Sequence, residues 1–462
     1  MADRIFVIGL DCAAPKLVFD MWADELPNLS RLRSEGMWGN LRSTDPPITV
    51  PAWTCMFSSR DPGEHGFYGF RNRRDYSYDR LVFANSTYIK LPMLWQFFAR
   101  ARKSSILVGI PQTYPPRPIK GLLVGDFLTP DPSAEYTYPP ELKREINEVA
   151  DGEYIIDVRN FRTDDKDWLL ESIHTMTRRR FKVIHHLMKK YPWDLFIFVE
   201  MGPDRIHHGF WRFFDREHRL YEPNNRYENA IKDYYIELDG LIGGLLDELD
   251  EDDTVLVVSD HGAKGMKGAI AINQWLIDAG YMKLKEKPDG QTKLSYDMID
   301  WDNTWAWSEG GYYARLFLNV KGREPNGRVP KAEYDSFRER LAGEIAAIPD
   351  ENGNPIGTKV LFPEEIYREV NNVPPDALIY FGDLDWRSAG SVGLDSIHLF
   401  ENDTGPDDAN HDYDGIVILK SPKLPDEARA KRIDASIYDI TPTLLKIAGI
   451  DADEPFAGKS LI

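Results

Sequence analysis

Three aspartates and three histidines that could bind metal ions lie beside short apolar segments: Asp11, Asp204, His208, Asp260, His261 and His411. The segments are residues 5–10, 195–199, 255–258 and 416–419, and their β-branched composition is typical of buried parallel strands. In an open α/β sheet, the functional crevice lies outside the carboxyl ends of such strands. Three carboxylates and three imidazoles meeting there could hold two divalent cations, so the pattern predicts a dinuclear metal site.

The segments between these positions alternate in character, which favours a doubly wound α/β sheet. Further strands are predicted at 105–109 and 377–380, and amphipathic helices at 91–102, 168–191, 227–249 and 440–448. Residues 284–368 are polar and carry Gly, Pro and Trp. Because this stretch separates two site-forming segments, we expect it to form a cap over the crevice.

Composition excludes several classes of protein. The chain has 462 residues, 42% hydrophobic, and a net charge of −19, which disfavours a nucleic acid duplex as partner. The sequence contains no uncharged apolar stretch of about eighteen residues, so a membrane span is not expected. Cys12 and Cys55 cannot form a disulfide framework and are expected to be reduced and buried. Met1-Ala2-Asp3-Arg4 passes directly into the first strand, so we expect an unprocessed, cytoplasmic protein.

Thr49 is the candidate nucleophile. Pro51 suits the first turn of a helix, which places Thr49 at the helix entrance, where free N–H groups attract anions. A hydroxyl beside two cations can ionise and attack phosphorus. The alternative is that Thr49 only caps the helix. Thr54 and Cys55 are rival nucleophiles, but both should lie inside the helix, away from the crevice.

Each ligand candidate also has an ordinary interpretation when taken alone. Asp204 and His208 share a helix face only if Pro203 starts a helix, and otherwise suggest a surface or ion-pair role. Asp260-His261 could cap a helix, although Gly262 would let the backbone approach a metal closely. His411 could be a solvated loop residue, or be supported by the acids around it at 407, 408 and 412. The combination at strand ends favours the metal site.

These residues resemble the alkaline phosphatase superfamily, and most closely its type I phosphodiesterase/nucleotide pyrophosphatase branch. The motifs occur in order over nearly the whole chain: Asp11, Thr49-Val50-Pro51, Asp61-Pro62-Gly63-Glu64-His65-Gly66, Asp204 with His208, Ser259-Asp260-His261-Gly262, His411 and the tail Tyr438-Asp439-Ile440-Thr441-Pro442-Thr443-Leu444-Leu445. The resemblance implies a mostly parallel central sheet flanked by helices. It further implies a catalytic core of residues 1–283 and 369–462 with a cap at 284–368.

The resemblance also implies how the ligands divide. Asp204, His208 and His411 would hold one cation, and Asp11, Asp260 and His261 the other, with Thr49 reaching toward the second. Zinc is the usual metal of the family and suits mixed nitrogen and oxygen ligands, and manganese is used by some relatives.

One position departs from the branch. Where it usually has an asparagine that grips a phosphoryl oxygen, this chain has Phe70. Arg71, Asn72 or the backbone N–H of Val50 could make that contact instead, and an arginine would favour a more highly charged phosphoryl group. Sulfate-ester cleavage is not expected, because Thr49 and Trp53 occupy positions where sulfatases need other residues.

The sequence therefore predicts a two-metal phosphohydrolase that cleaves a phosphodiester or pyrophosphate bond through a threonyl-phosphate intermediate. The expected substrate is a small phosphate ester or nucleotide-like molecule. A phosphomonoester phosphatase or phosphomutase using the same site is the nearest alternative, and a non-catalytic binding module is the alternative outside catalysis. The oligomeric state stays open.

Overall fold

A nine-stranded sheet runs through the computed structural model, which describes residues 4–462. Met1, Ala2 and Asp3, on which the expectation of an unprocessed chain rests, lie outside the described residues. The strands of all sheets in the described chain, nine of which form this main sheet, are β1 Ile5–Leu10, β2 Met37–Arg42, β3 Arg71–Arg73, β4 Leu81–Phe83, β5 Ser105–Val108, β6 Gly121–Val124, β7 Thr137–Tyr138, β8 Leu195–Glu200, β9 Thr254–Val258, β10 Gly262–Gly265, β11 Gly268–Ile270, β12 Thr292–Lys293, β13 Ala306–Glu309, β14 Ala314–Leu318, β15 Lys359–Leu361, β16 Ala377–Tyr380, β17 Trp386–Ser388, β18 Ser391–Val392, β19 His398–Leu399, β20 Ala409–Asp412, β21 Asp414–Lys420 and β22 Arg432–Ser436.

Helices connect these strands and pack against the main sheet and a second, smaller one. They are α1 Pro27–Glu35, α2 Thr49–Met56, α3 Pro62–His65, α4 Leu94–Arg100, α5 Leu142–Val149, α6 Lys166–Lys190, α7 Gly202–Phe214, α8 Ala230–Leu246, α9 Ile272–Asp278, α10 Tyr334–Ala346, α11 Pro363–Ile366 and α12 Ile440–Ile447. The four helices predicted from periodicity correspond to α4, α6, α8 and α12. Each of them begins and ends within three residues of its predicted bounds. Within residues 4–462, no helix has the length and apolarity needed to cross a membrane.

The strand order of the main sheet is β22-β2-β21-β9-β1-β8-β5-β6-β7. Strands β9, β1, β8, β5 and β6 are mutually parallel. Every residue of β1, β8 and β9 is buried, as expected for strands covered by helices on both faces. The predicted α/β fold with a mostly parallel central sheet is confirmed.

The strand over residues 416–419 is not parallel, which corrects the sequence interpretation. It belongs to β21, which pairs antiparallel with both β9 and β2. Because β21 runs in the opposite direction, its amino end lies at the same edge as the carboxyl ends of β1, β8 and β9. His411, which precedes β21, therefore still reaches the crevice.

A second sheet, of order β13-β14-β16-β15, is entirely antiparallel. The strand predicted at 377–380 is β16 and lies in this sheet rather than in the main one. A separate hydrophobic core covers the second sheet, with buried members from Ile270 to Trp386. This core extends beyond 284–368 on both sides, and the division of the chain at those bounds stays a prediction.

Candidate active site

Three neighbouring strands deliver five of the six predicted ligands to one edge of the main sheet. Asp11 follows β1, and Asp260 and His261 follow β9, its hydrogen-bonded neighbour. On the other side of β1, β8 leads into α7, whose early Pro203 lies in the first turn. Helix α7 carries Asp204 and His208, and both are buried. The prediction that these two residues share a helix is confirmed, and a surface role is wrong.

His411 reaches the same place through a short ladder between β10 and β20. Ala263 is the cross-strand partner of His411, which brings the rings of His261 and His411 to a centroid distance of 3.8 Å. Asp260-His261 leads into β10 and not into a helix, so the helix-capping interpretation of that pair is wrong. Gly262 is needed for a different reason than expected, because a Cβ there would lie 2.2 Å from the carbonyl oxygen of Asp414.

The three imidazoles are oriented alike. The Nδ1 atom of His208 donates to Asp407 Oδ1 at 2.7 Å, that of His411 to the carbonyl of Pro47 at 3.1 Å, and that of His261 to the carbonyl of Gly262 at 3.1 Å. In the neutral form of each ring, with the proton on Nδ1, the Nε2 lone pair is free to bind a cation. The Nε2 atoms of His208 and His411 face each other at 3.3 Å, an arrangement that a shared cation stabilises.

The carboxylates of Asp11 and Asp260 are each held in place by a hydrogen bond to one of their two oxygens. Trp53 Nε1 donates to Asp11 Oδ2 at 2.7 Å, and the backbone N–H of Cys12 donates to Asp260 Oδ1 at 3.2 Å. Asp11 Oδ1 and Asp260 Oδ2 are buried and have no hydrogen-bond partner among residues 4–462. Buried unpaired carboxylate oxygens are costly, and cation coordination is the chemistry that would satisfy them.

The spacing of the free ligand atoms fits divalent cations. Asp204 Oδ1 lies 3.2 Å from His208 Nε2 and 3.7 Å from His411 Nε2, while His261 Nε2 lies 3.1 Å from Asp260 Oδ2 and 3.9 Å from Asp11 Oδ1. Ligands about 2.0–2.1 Å from a tetrahedral zinc ion stand roughly 3.3 Å apart. His261 also has a ligand atom within 4.8 Å of those of Asp204 and His411, so it lies between the two groups.

Burial sets the electrostatics of the two carboxylates on the sheet. The pKa values of Asp11 and Asp260 are raised well above the usual range, first by burial and then by the charge of a neighbouring aspartate. Burial likewise lowers the pKa of His261 to about 4 and that of His411 well below its usual value. Negative charge is therefore disfavoured here unless positive charge is supplied.

His208 and Asp204 behave oppositely because they pair with opposite charges. Burial alone would lower the pKa of His208, but Asp407 and Asp204 raise it to about 9. Burial alone would raise the pKa of Asp204, but His208 and Arg205 hold it well below its usual range.

Thr49 begins α2 and points to this cluster. Its Oγ1 lies 3.4 Å from His261 Nε2, and the residue is buried. The N-cap position of α2 is occupied by Ile48, without a side-chain capping bond, so the capping alternative for Thr49 is wrong. Thr54 and Cys55 lie inside the helix as expected, and Thr54 Oγ1 donates to Gln112 at 2.7 Å.

A cavity of about 570 Å³ opens beside Thr49, Asp204 and His411. Arg71 and Phe70 line it, so Arg71 is placed to reach a substrate. Asn72 is not: its side chain accepts from the N–H of Tyr68 at 2.8 Å and donates to the carbonyl of Gly69 at 2.7 Å. The suggested substrate contact from Asn72 is corrected, because its amide braces this turn.

A buried cluster around Asp407 includes residues that sequence reasoning missed. Asp407 Oδ2 accepts from Arg162 Nε at 2.8 Å and from Arg387 Nη1 at 3.1 Å, while Oδ1 accepts from His208. Tyr312 stacks on His208 and His411, with centroid distances of 4.9 and 4.1 Å. The position of Asp407 close to His411 in the sequence could have indicated its role in the site. Nothing in the sequence indicates such a role for Arg162, Tyr312 and Arg387, which come from remote segments.

Comparison with known proteins identifies the family of the chain and supports its fold. The sequence model of the family "Type I phosphodiesterase / nucleotide pyrophosphatase" matches residues 5–414. Human ectonucleotide pyrophosphatase/phosphodiesterase 5 has a similar fold, with a TM-score of 0.57 at 15% identity over 99% of this chain and 97% of that chain. An inactive form of the murine protein in complex with AMP gives 0.57 and 14% over 99% and 97%. No curated protein matches the chain significantly.

Proposed function

The chain belongs to the type I phosphodiesterase/nucleotide pyrophosphatase family and is a hydrolase, and from that premise we propose that Thr49 is its nucleophile and two divalent cations are its cofactors. The observation that carries the proposal is the convergence of three free imidazole Nε2 atoms and two unpartnered carboxylate oxygens beside one threonine hydroxyl. A site meant only for binding an anion has no need of buried carboxylates. The same arrangement suits a hydroxyl that must lose its proton.

The ligands divide into two sets. Asp204, His208 and His411 would hold one cation, and Asp11, Asp260 and His261 the other. Bound there, zinc or manganese would supply Lewis acidity and neutralise the charge that develops on the oxygens of the phosphoryl group.

The chemistry of the chain itself then has two displacements. Thr49 Oγ1 loses its proton to solvent and forms a bond to phosphorus while the bond from phosphorus to the leaving oxygen breaks, and the leaving group takes a proton from solvent. The oxygen of a water molecule then bonds to the phosphorus of the phosphothreonine while the bond to Thr49 breaks. Thr49 Oγ1 takes up a proton given up by that water, and a phosphate monoester leaves. Trp53 and Cys12, through their bonds to Asp11 and Asp260, keep both carboxylates in place during these steps.

The proposed substrate is a nucleotide-like phosphodiester or pyrophosphate. The cavity beside Thr49 has room for a second ester substituent, and Phe70, Phe127 and Phe161 contribute apolar surface to it. The AMP complex of the murine neighbour supports a nucleoside monophosphate group as the part that is held. Arg71 is proposed to contact the phosphoryl oxygens.

The nucleophile is tested with Thr49→Ala and the matched variant Thr54→Ala, which removes a hydroxyl from the same helix. With bis-p-nitrophenyl phosphate, Thr49→Ala should lower kcat by at least about a thousandfold while metal content stays at the wild-type level. Thr54→Ala should keep activity within a few-fold. Acid quenching of the wild type during turnover should trap a phosphoryl group on the peptide that contains residue 49. Turnover by Thr49→Ala would assign the nucleophile elsewhere.

The substrate class is tested by comparing kcat/KM on bis-p-nitrophenyl phosphate, p-nitrophenyl thymidine 5′-phosphate and p-nitrophenyl phosphate. We expect the nucleotide diester to be the best substrate, because the cavity can hold both of its substituents. A preference for the monoester would replace the diesterase proposal with a phosphatase or phosphomutase.

A further inference from the structure

A second cavity, of about 500 Å³, lies beside β6, the last strand but one in the order of the main sheet. It is formed by α4 and by the segment that connects β5 to β6. It shares no lining residue with the cavity beside Thr49. Nothing in the proposed reaction uses it.

The charge of this region is opposite to that of the chain. Residues 80–125 contain seven Lys and Arg and not one Asp or Glu, although the whole chain carries 75 acids in 462 residues. No carboxylate lines the cavity, but four of those cations do: Lys90, Arg100, Arg117 and Lys120. A locally cationic hollow in so acidic a protein points to an anionic ligand.

The four cations are not neutralised by neighbours. In the described part of the chain none of them forms an ion pair within 4 Å. Arg117 donates to the carbonyls of Ser86 and Ile89, the latter at 3.1 Å, and Lys120 donates to the carbonyl of Arg102. Lys90 and Arg100 make no side-chain hydrogen bond to residues 4–462, so both charges are available.

Most of the remaining lining is apolar, and its uncharged polar members are Ser86, Gln96, Gln112 and Thr113. The large hydrophobic side chains come from α4, the loop before it, the β5–β6 connection and β6: Ile89, Leu91, Met93, Trp95, Ile119 and Leu123. A cavity of this size with apolar walls and a few charged groups is typical of a small-molecule site. Inorganic anions would leave those walls without a partner.

We propose that this cavity binds a small organic phosphate, with its phosphoryl group on Lys90, Arg100, Arg117 and Lys120 and its apolar body against the walls. Guanidinium groups pair with phosphate oxygens through two hydrogen bonds, and the double negative charge of a phosphate monoester suits several cations. The site is distinct from the metal site, and the proposal does not depend on the proposed reaction.

The test measures binding of octyl phosphate to the metal-loaded protein by calorimetry and locates it by hydrogen–deuterium exchange. We expect saturable binding with slowed exchange in segments 86–100 and 112–123. Inorganic phosphate should bind at least about tenfold more weakly, because it lacks the apolar body. Slowed exchange that is confined to the segments around Thr49, Asp204 and His411 would overturn the proposal.

Two double variants with the same change in net charge separate this site from general electrostatics. Lys90→Gln with Arg100→Gln removes two cavity charges without breaking a hydrogen bond, and should weaken the located binding at least about tenfold. Arg31→Gln with Lys287→Gln removes two exposed charges elsewhere and should leave it unchanged. Equal affinities of the two double variants would also overturn the proposal.

Discussion

At the scale of single residues, the site depends on what lies behind each ligand. An imidazole binds a cation well only if its ring is held in one tautomer and one orientation. His261 and His411 are held by backbone carbonyls, whereas His208 is held by the carboxylate of Asp407. Asp407 is itself held by two arginines, Arg162 and Arg387. This support explains why Asp407 can stay ionised although it is buried.

Asp407 is therefore expected to act as a positioning residue for His208. Asp407→Asn keeps the shape but removes the charge, and we expect it to weaken cation binding about 10–100-fold at one of the two sites. The measurement is metal content after dialysis against a competing chelator, with kcat on the same samples. Asp412→Asn is the matched control, because Asp412 adjoins His411 but bonds the N–H of Tyr413 at 2.8 Å. Equal metal retention in both variants would contradict the role.

At the scale of elements, the sequence predicted what depends on local pattern. The apolar runs became β1, β8, β9 and β21, and the i, i+4 spacing of Asp204 and His208 became one face of α7. The direction of β21 could not be predicted, because the sequence of a fully buried strand does not encode which way it runs. The use of Asn72 to brace a turn was also missed, since it depends on the backbone of Tyr68 and Gly69 and not on spacing to Thr49.

Gly262 shows how element packing fixes the ligands. A Cβ at this position would collide with the Asp414 carbonyl, so Gly262→Ala must push β10 and β21 apart. We expect a loss of about 1–3 kcal/mol in the free energy of unfolding together with lower metal content, because Asp260 and His261 precede β10 directly.

Urea unfolding and metal analysis check this expectation. The control is Gly244→Ala on α8, where a Cβ would meet nothing within 4 Å, and there the change should be neutral or stabilising by about 0.4–1 kcal/mol. A Gly262→Ala protein as stable as the wild type would show that the close approach is not required.

At the scale of the whole molecule, the two hydrophobic cores meet around the cavity beside Thr49. Elements that pack in the main core carry the nucleophile and the ligands, while Tyr312 and Arg387, from the part of the chain that forms the second core, also line the cavity. Such contacts join residues that are far apart in the sequence, and Tyr312 contacts Arg162 across 150 positions. The periodicity of the sequence can therefore predict the strands and helices, but not the residues through which the two cores contact each other. The cytoplasmic location stays a prediction.

A histidine that is buried in its neutral form makes the free energy of unfolding depend on pH. His65 is such a residue, and it lies outside the metal site. Ser58 Oγ donates to the carbonyl of Thr54, so it accepts from His65 Nε2 at 2.8 Å, and His65 Nδ1 is buried without a partner among the described residues. Burial, and then the charge of Arg60, lower the pKa of His65 to about 3. The unfolded chain would bind this proton near pH 6.5.

Because the pKa is lowered on folding, the contribution of His65 is complete above about pH 6.5 and is lost as the pH falls toward 3. We expect His65→Gln to remove this loss, so that its free energy of unfolding falls less steeply with decreasing pH than that of the wild type. The difference in slope should approach about 1.4 kcal/mol per pH unit between pH 6 and 4. Urea unfolding of both metal-loaded proteins at several pH values measures it, since acid loss of metal affects the two alike. Parallel curves would mean that His65 takes up its proton equally in the folded and unfolded chain, contrary to its enclosed position.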